Sequence, residues 1–313
     1  MNQTLAVIQM VLPVLLMIGL GLLCRRTGLV SMQGLSGIKA VVANITLPVV
    51  LFKAFYSAQY NLNSLLTFAV IFISCSVALA LGFVLRRLVG ERYKKFMPFL
   101  LSGFEVGMLG YALFSMLAGD ENLHVLASLD LGQVLFAYTV YLSLLGITSG
   151  NKPTPKGVVL NIFKNPACIG MLLGIIVGAT GLGSVITGSA IGGIFTQAIS
   201  FIAAPTAGMI LIIVGYELSL SKKLLKPVFI TIGLRLAVMA LLLLAASALL
   251  FAILPFDKTL FMALLLIFSL PAPFVIPIFA DVQEHGEYIS TTVSVNTLVT
   301  VLIFAGIAVY AIS

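Results

Sequence analysis

Phe96-Met-Pro-Phe-Leu-Leu-Ser-Gly-Phe-Glu-Val-Gly-Met-Leu-Gly-Tyr-Ala-Leu-Phe-Ser-Met-Leu-Ala118 is an apolar run long enough to cross a bilayer, with a carboxyl group in its middle. A helical span needs about 20 predominantly apolar residues. An ionised side chain at the bilayer centre costs about 2.5 kcal/mol or more, so Glu105 needs a physical reason to be there. Gly103, Gly107 and Gly110 surround it and weaken the helix at the same place. A second run, 259–279, carries Ser269-Leu-Pro-Ala-Pro273 and then Pro277, again near its centre. Proline removes a backbone donor and interrupts a helix. Interrupted spans in corresponding positions of two halves are the best sequence pointer to a binding site at the membrane midplane.

Working outward from these two runs, the chain offers ten candidate spans: 5–23, 35–56, 65–85, 96–118, 125–148, 166–186, 191–216, 228–251, 259–279 and 288–311. The composition agrees. Hydrophobic residues make up 61% and charged residues 9%, against about 25% charged in an ordinary globular domain. That is too little charge to cover a surface facing water, and the mean hydropathy is +1.20. Soluble enzymes, coiled coils and disordered chains are excluded. The class left is an all-α polytopic membrane protein.

The net charge of +7 then reads as orientation rather than as nucleic-acid binding. Arg25, Arg26, Lys39, Arg86, Arg87, Arg92, Lys94, Lys95, Lys152, Lys156, Lys164, Lys222, Lys223 and Lys226 all fall on one side of a ten-span topology. By the positive-inside rule that side is cytoplasmic, and both termini lie outside the plasma membrane. The link bearing Asp281, Glu284 and Glu287 disagrees, but acidic residues weigh little in this rule.

The polar stretch 149–165 divides five spans from five, giving repeats at 1–150 and 151–313. Five is odd, so related halves must be inverted. Pro48 in span two is echoed by Pro205 in span seven, and the break in span four by that in span nine. Gly170, Gly174 and Gly178 in span six read as a close-packing seam.

Several polar residues inside the spans are candidates for chemistry. Glu105 is a candidate proton carrier. Asp130, with Gln133 and Tyr141 on the same helical stripe, either relays a proton, coordinates a cation or faces a vestibule. Arg235 is a substrate counter-ion or a side chain that snorkels to the interface. Asn44 lies four residues before Pro48, beside a carbonyl that the proline leaves without its donor. Ser290, Ser294 and Thr297 form a stripe in span ten with Asn296 alongside. His124 and His285 read as loop residues. Cys24, Cys75 and Cys168 lie in or beside apolar runs and read as small buried hydrophobes. No nucleophile–base pair, phosphate loop, metal-ligand spacing or cofactor motif appears, so an enzyme is not expected.

These residues together resemble the auxin efflux carrier family of membrane permeases in its bacterial form. The likeness covers essentially the whole chain. It rests on Asn44-Ile-Thr-Leu-Pro-Val-Val-Leu-Phe-Lys53, on the glycines from Gly103 to Gly110, on the prolines of span nine and on the Ser/Thr/Asn-rich span ten. The resemblance implies a 5+5 inverted repeat, with a scaffold domain and a transport domain, in which broken helices four and nine cross. It implies a secondary carrier that moves small organic anions by alternating access: auxin in plants, and dicarboxylates such as malonate or malate for some bacterial relatives. The expected substrate-binding residues are Asn44, Glu105, Gly107, Gly110, Pro271, Pro273, Ser294 and Asn296, with ion or proton coupling at Glu105 and Asp130. The expected partners are the organic anion, membrane lipid, a proton or sodium as coupling ion, and a second copy in a homodimer, with no cofactor and no nucleic acid. The chain departs from the family in span four. Glu105 and Gly110-Tyr-Ala112 stand where many members carry Asn and Pro. That acid weakens the case for simple anion binding and leaves a sodium–organic anion symporter or a cation–proton antiporter of the same fold as the alternative.

Overall fold

The computed structural model describes residues 3–58, 60, 62–150, 160, 163–276 and 285–312. Among them there are helices and turns and no strand. Eight helical stretches are long and apolar enough to cross a membrane: Leu5–Thr27, Met32–Tyr56, Leu62–Leu88, Met97–Ala118, Asp120–Thr148, Gly192–Glu217, Lys222–Ile253 and Gly286–Ile312. Each coincides with an apolar run of the sequence.

The two remaining spans are interrupted helices, span six at a turn the sequence did not suggest and span nine at the expected prolines. The expected span 166–186 is a helix over Pro166–Ala179 and a separate short one over Leu182–Thr187. Gly181 between them is left-handed, with φ 73°, a conformation that ends a helix. The expected span 259–279 is helical over Lys258–Ser269 and then leaves the helix at Leu270, Pro271 and Pro273. Pro277 and the acidic residues Asp281 and Glu284 lie outside the described residues, as does the central loop over 151–159.

We number the helices α1 (Gln3–Thr27), α2 (Met32–Val41), α3 (Leu47–Tyr56), α4 (Leu62–Leu85), α5 (Met97–Leu101), α6 (Tyr111–Ala118), α7 (Leu123–Phe136) and α8 (Leu142–Thr148). The second half continues with α9 (Pro166–Ala179), α10 (Leu182–Thr187), α11 (Gly192–Ala203), α12 (Thr206–Glu217), α13 (Leu225–Ile253), α14 (Lys258–Ser269) and α15 (Gly286–Ile312). Wide π-turns at Val42–Thr46, Val106–Gly110 and Ala137–Tyr141 join α2 to α3, precede α6 and join α7 to α8. The first follows from Pro48, which cannot donate to the Asn44 carbonyl; Leu47 N–H bonds back five residues to Val42 instead.

The helices pack in two groups. In one, α9 runs along α3 and α1 along α12. In the other, α4 packs on α5, α7 and α13, while α14 and α15 pack on α13 and on each other. The glycine seam behaves as a seam. A Cβ at Gly170 would meet the Pro48 backbone, and one at Gly174 would lie 2.7 Å from the Phe52 carbonyl oxygen. Small residues here let α9 reach α3 backbone to backbone, which is how helices associate where lipid is as apolar as leucine. The groups meet where α6 contacts α12, α7 contacts α3, and α15 contacts α1.

Candidate functional site

Span four unwinds between α5 and the π-turn, over residues 102–105, and span nine unwinds after α14, from Leu270. The two unwound segments meet. Glu105 N–H donates to the Pro271 carbonyl at 2.9 Å, and Gly103 lies against the Pro273 ring. Gly103 has φ 67°, and a Cβ there would stand 3.0 Å from Pro273 Cγ, so the contact requires glycine.

Unwinding exposes backbone groups that lipid cannot satisfy, so each needs a partner inside the protein. The carbonyls go largely to Arg235, which is 2% exposed near the middle of α13. Its Nη1 donates to Leu100 O at 3.0 Å and Ser102 O at 3.4 Å; its Nη2 donates to Gly103 O at 2.6 Å and Leu270 O at 2.9 Å. One guanidinium thus serves the carbonyl ends of both α5 and α14, where helix dipoles place negative charge. Its carbon also lies 5.9 Å from the centre of the Phe104 ring. Of the two roles the sequence left open for Arg235, substrate counter-ion or outward snorkelling, the second does not fit a guanidinium turned inward onto four backbone carbonyls.

Other carbonyls take neutral donors. Tyr141 Oη donates to Phe99 O at 3.0 Å, Gln133 Nε2 to Phe104 O at 2.9 Å, and Thr300 Oγ1 to Ser269 O at 2.5 Å. The stripe of Asp130, Gln133 and Tyr141 therefore faces the break in span four. Asp130 accepts from Tyr111 Oη at 3.1 Å, and all four of these side chains are buried.

Glu105 handles the opposite end. It caps the second half of span four, accepting from Met108 N–H at 3.2 Å on Oε1 and from Phe274 N–H at 2.5 Å on Oε2. At the Met108 amide, which opens the second half of span four, a carboxylate meets positive dipole charge. The crossing thus carries its own pair of charges, Arg235 on the carbonyl ends of α5 and α14, and Glu105 on the amide end of the second half of span four and on the Phe274 N–H of the turn after Pro273.

Of the expected substrate residues, Glu105, Gly110, Pro271 and Pro273 converge at this crossing; Gly110 packs against the Leu270 side chain. Gly107 follows Glu105 in the π-turn with open space where a Cβ would stand. Asn44 does not join them. It is exposed, and its amide donates to the Ala40 carbonyl at 2.8 Å, one turn back in its own helix. Ser294 accepts from Ser219 N–H at 2.9 Å, tying α15 to the segment that follows α12. Asn296 is buried, and its Oδ1 has no hydrogen-bond partner among the described residues. His285 lies, as expected, outside the helices, in the turn before α15, but buried beside Phe96, whereas His124 sits in the first turn of α7 rather than in a loop.

A cavity of about 220 Å³ lies between α3, α6 and the junction of α11 with α12. Leu47 and Val50 supply apolar wall, beside Ala203 and Ala204 next to Pro205. Lys53 and Asp120 also line it, Nζ to Oδ2 at 3.6 Å, and Ser115 Oγ donates to Asp120 Oδ1 at 2.5 Å. Residues flanking the prolines of spans two and seven thus line one cavity with the second half of span four. Sequence reasoning gave Lys53 no role. Its signal was a charge five residues after Pro48 inside an apolar run, the same kind of cost that marks Glu105.

The sequence matches the family described as membrane transport protein over residues 6–308, nearly the whole chain. A search of curated proteins returns no match.

Proposed function

We propose, on the premise that the chain belongs to this membrane transport family of the auxin efflux carrier type, that it is a secondary carrier for a small organic carboxylate. It works by alternating access in the plasma membrane. Ten helices cross, α9 with α10 and α14 with the segment after it supplying the sixth and ninth spans, in inverted halves 1–150 and 151–313 with both termini outside. The observation that carries the reading is the meeting of two unwound segments whose exposed backbone is neutralised by Arg235 and Glu105. Secondary carriers build substrate sites from such half-helix ends near the midplane.

The position of Glu105 bears on coupling. A substrate carboxylate drawn to the amides of Met108 and Phe274 meets a carboxylate already bound there. Like charges disfavour each other at that range, so proton uptake by Glu105 accompanies substrate binding. Proton coupling is favoured over sodium, because Arg235 already holds the carbonyl cluster that a metal ion would need. The second buried carboxyl, Asp130, keeps a cation–proton antiporter as the runner-up.

Counterflow tests the proposal. Proteoliposomes loaded with an unlabelled panel of dicarboxylates, monocarboxylates and amino acids should accumulate the matching labelled compound for at least one member, faster at acidic pH. Absence of counterflow for every member across pH 5–8, with the protein folded in the vesicles, overturns it.

A further inference from the structure

The cavity between α3, α6 and α12 carries two opposite charges, and that balance decides what it holds. Lys53 Nζ stands 3.6 Å from Asp120 Oδ2, too far for a hydrogen bond, with the two side chains 20% and 50% exposed. Asp120 is oriented from behind by Ser115, which takes Oδ1 and leaves Oδ2 toward the lysine. Thr206, 3% exposed, also lines the cavity, and its hydroxyl has no hydrogen-bond partner among the described residues. The remaining wall comes mainly from Leu47, Val50 and Ile210 with small alanines.

We propose that this cavity binds a small apolar α-amino acid as its zwitterion. Its carboxylate meets Lys53, its ammonium meets Asp120, and its side chain lies against Leu47, Val50 and Ile210. A simple carboxylate gains the lysine but faces Asp120 unpaired, and a dicarboxylate does worse, since like charge in a recessed site repels. An amine has the converse difficulty. The zwitterion presents a matching charge to each member of the Lys53–Asp120 pair. Size agrees: about 220 Å³ corresponds to roughly seven waters at about 30 Å³ each, the scale of alanine to leucine. None of Glu105, Met108, Phe274 and Arg235 lines this cavity, so the inference goes beyond the carrier reading above and adds a second ligand site to it.

The test uses the purified full chain and three matched probes: L-valine, 3-methylbutanoate, which lacks its ammonium, and 2-methylpropylamine, which lacks its carboxylate. L-alanine and L-leucine bracket the size. Equilibrium binding of valine should exceed that of either fragment by at least about tenfold. Asp120→Asn should bring valine and 3-methylbutanoate to within about threefold of each other, and Lys53→Met should abolish valine binding. Should either variant fail to fold, the wild-type comparison decides alone. The proposal is overturned if 3-methylbutanoate binds as tightly as valine, if none of the amino acids binds, or if folded Asp120→Asn keeps the full discrimination. Counterflow separates the two readings. Exchange of another carboxylate without amino-acid binding removes this inference and keeps the carrier. Amino-acid binding without counterflow removes the carrier and keeps the site.

Discussion

Replacing Arg235 by methionine keeps much of the stem's volume and removes the guanidinium. Four carbonyls, those of Leu100, Ser102, Gly103 and Leu270, then lose their donor. Each buried acceptor left unpaired costs about 1–3 kcal/mol, a gross loss of about 4–12 kcal/mol. Against this stands the several kcal/mol no longer spent in desolvating a cation. The net expectation is a loss of about 3–5 kcal/mol, the gross loss reduced by the desolvation no longer spent on the cation. Lysine offers three donors on one nitrogen, so Arg235→Lys reaches two or three of the four carbonyls and loses about 1–3 kcal/mol. At roughly 2 °C per kcal/mol for a chain of this size, the midpoint should fall by about 6–10 °C for methionine and about 2–6 °C for lysine. Thermal unfolding of the detergent-purified protein, followed by tryptic susceptibility and by helical circular dichroism, gives the order. Guanidinium ion added at millimolar concentration should restore part of the loss in Arg235→Ala and none in Arg235→Lys. A methionine variant that melts within 2 °C of wild type refutes the account, since it would mean that water serves these carbonyls.

Glu105→Gln supplies one amide oxygen where two carboxylate oxygens accept, and sets an NH2 against either Met108 N–H or Phe274 N–H. It should lose about 1.5–3 kcal/mol of stability and flatten the pH dependence of transport; a wild-type rate with an unchanged pH profile removes Glu105 as proton carrier. Asp130→Asn is its control, because Asn can still accept from Tyr111, and its pH profile should stay as in wild type. Gly170→Ala places a Cβ 2.8 Å from the Pro48 carbonyl carbon and should cost about 1–3 kcal/mol. Gly233→Ala, with open space in the middle of α13, should be neutral or stabilising by up to about 1 kcal/mol in the same melt; the reverse order would contradict the packing of α9 on α3.

What the sequence made legible was whatever a bilayer or a backbone imposes locally. The positions of the spans follow from apolar length, and the breaks in spans four and nine follow from Gly103 and from Pro271 with Pro273. The seam of Gly170, Gly174 and Gly178 also read correctly, because small residues one turn apart have few other uses in lipid. Partners distant in the chain were not legible. Nothing near Arg235 in sequence points to residue 100, which is 135 positions away. Asn44 looked available because its turn contains a proline, yet its amide reaches the Ala40 carbonyl one turn back, and a run of letters does not reveal which way a side chain turns. Lys53 and Asp120 sit in different spans and become a pair only when α3 and α6 enclose the same cavity. The turn at Gly181 inside span six was not legible, because apolar composition persists through a turn that glycine has already forced.

The distance between Arg235 and its carbonyls also sets a timetable for biosynthesis. Residues 100–103 leave the ribosome long before residue 235 does, and at about 5–20 residues per second an interval of 135 residues lasts on the order of 10 s. Throughout it span four is a hydrophobic segment with an open seam of acceptors and no cation to close it. Such a segment has no stable place in hydrocarbon alone. It must wait beside the insertion machinery or at the hydrated interface until α13 arrives. The arginine is then the last piece to lock a helix made four spans earlier, and a nascent chain truncated before residue 235 is expected to leave span four exposed to membrane proteases.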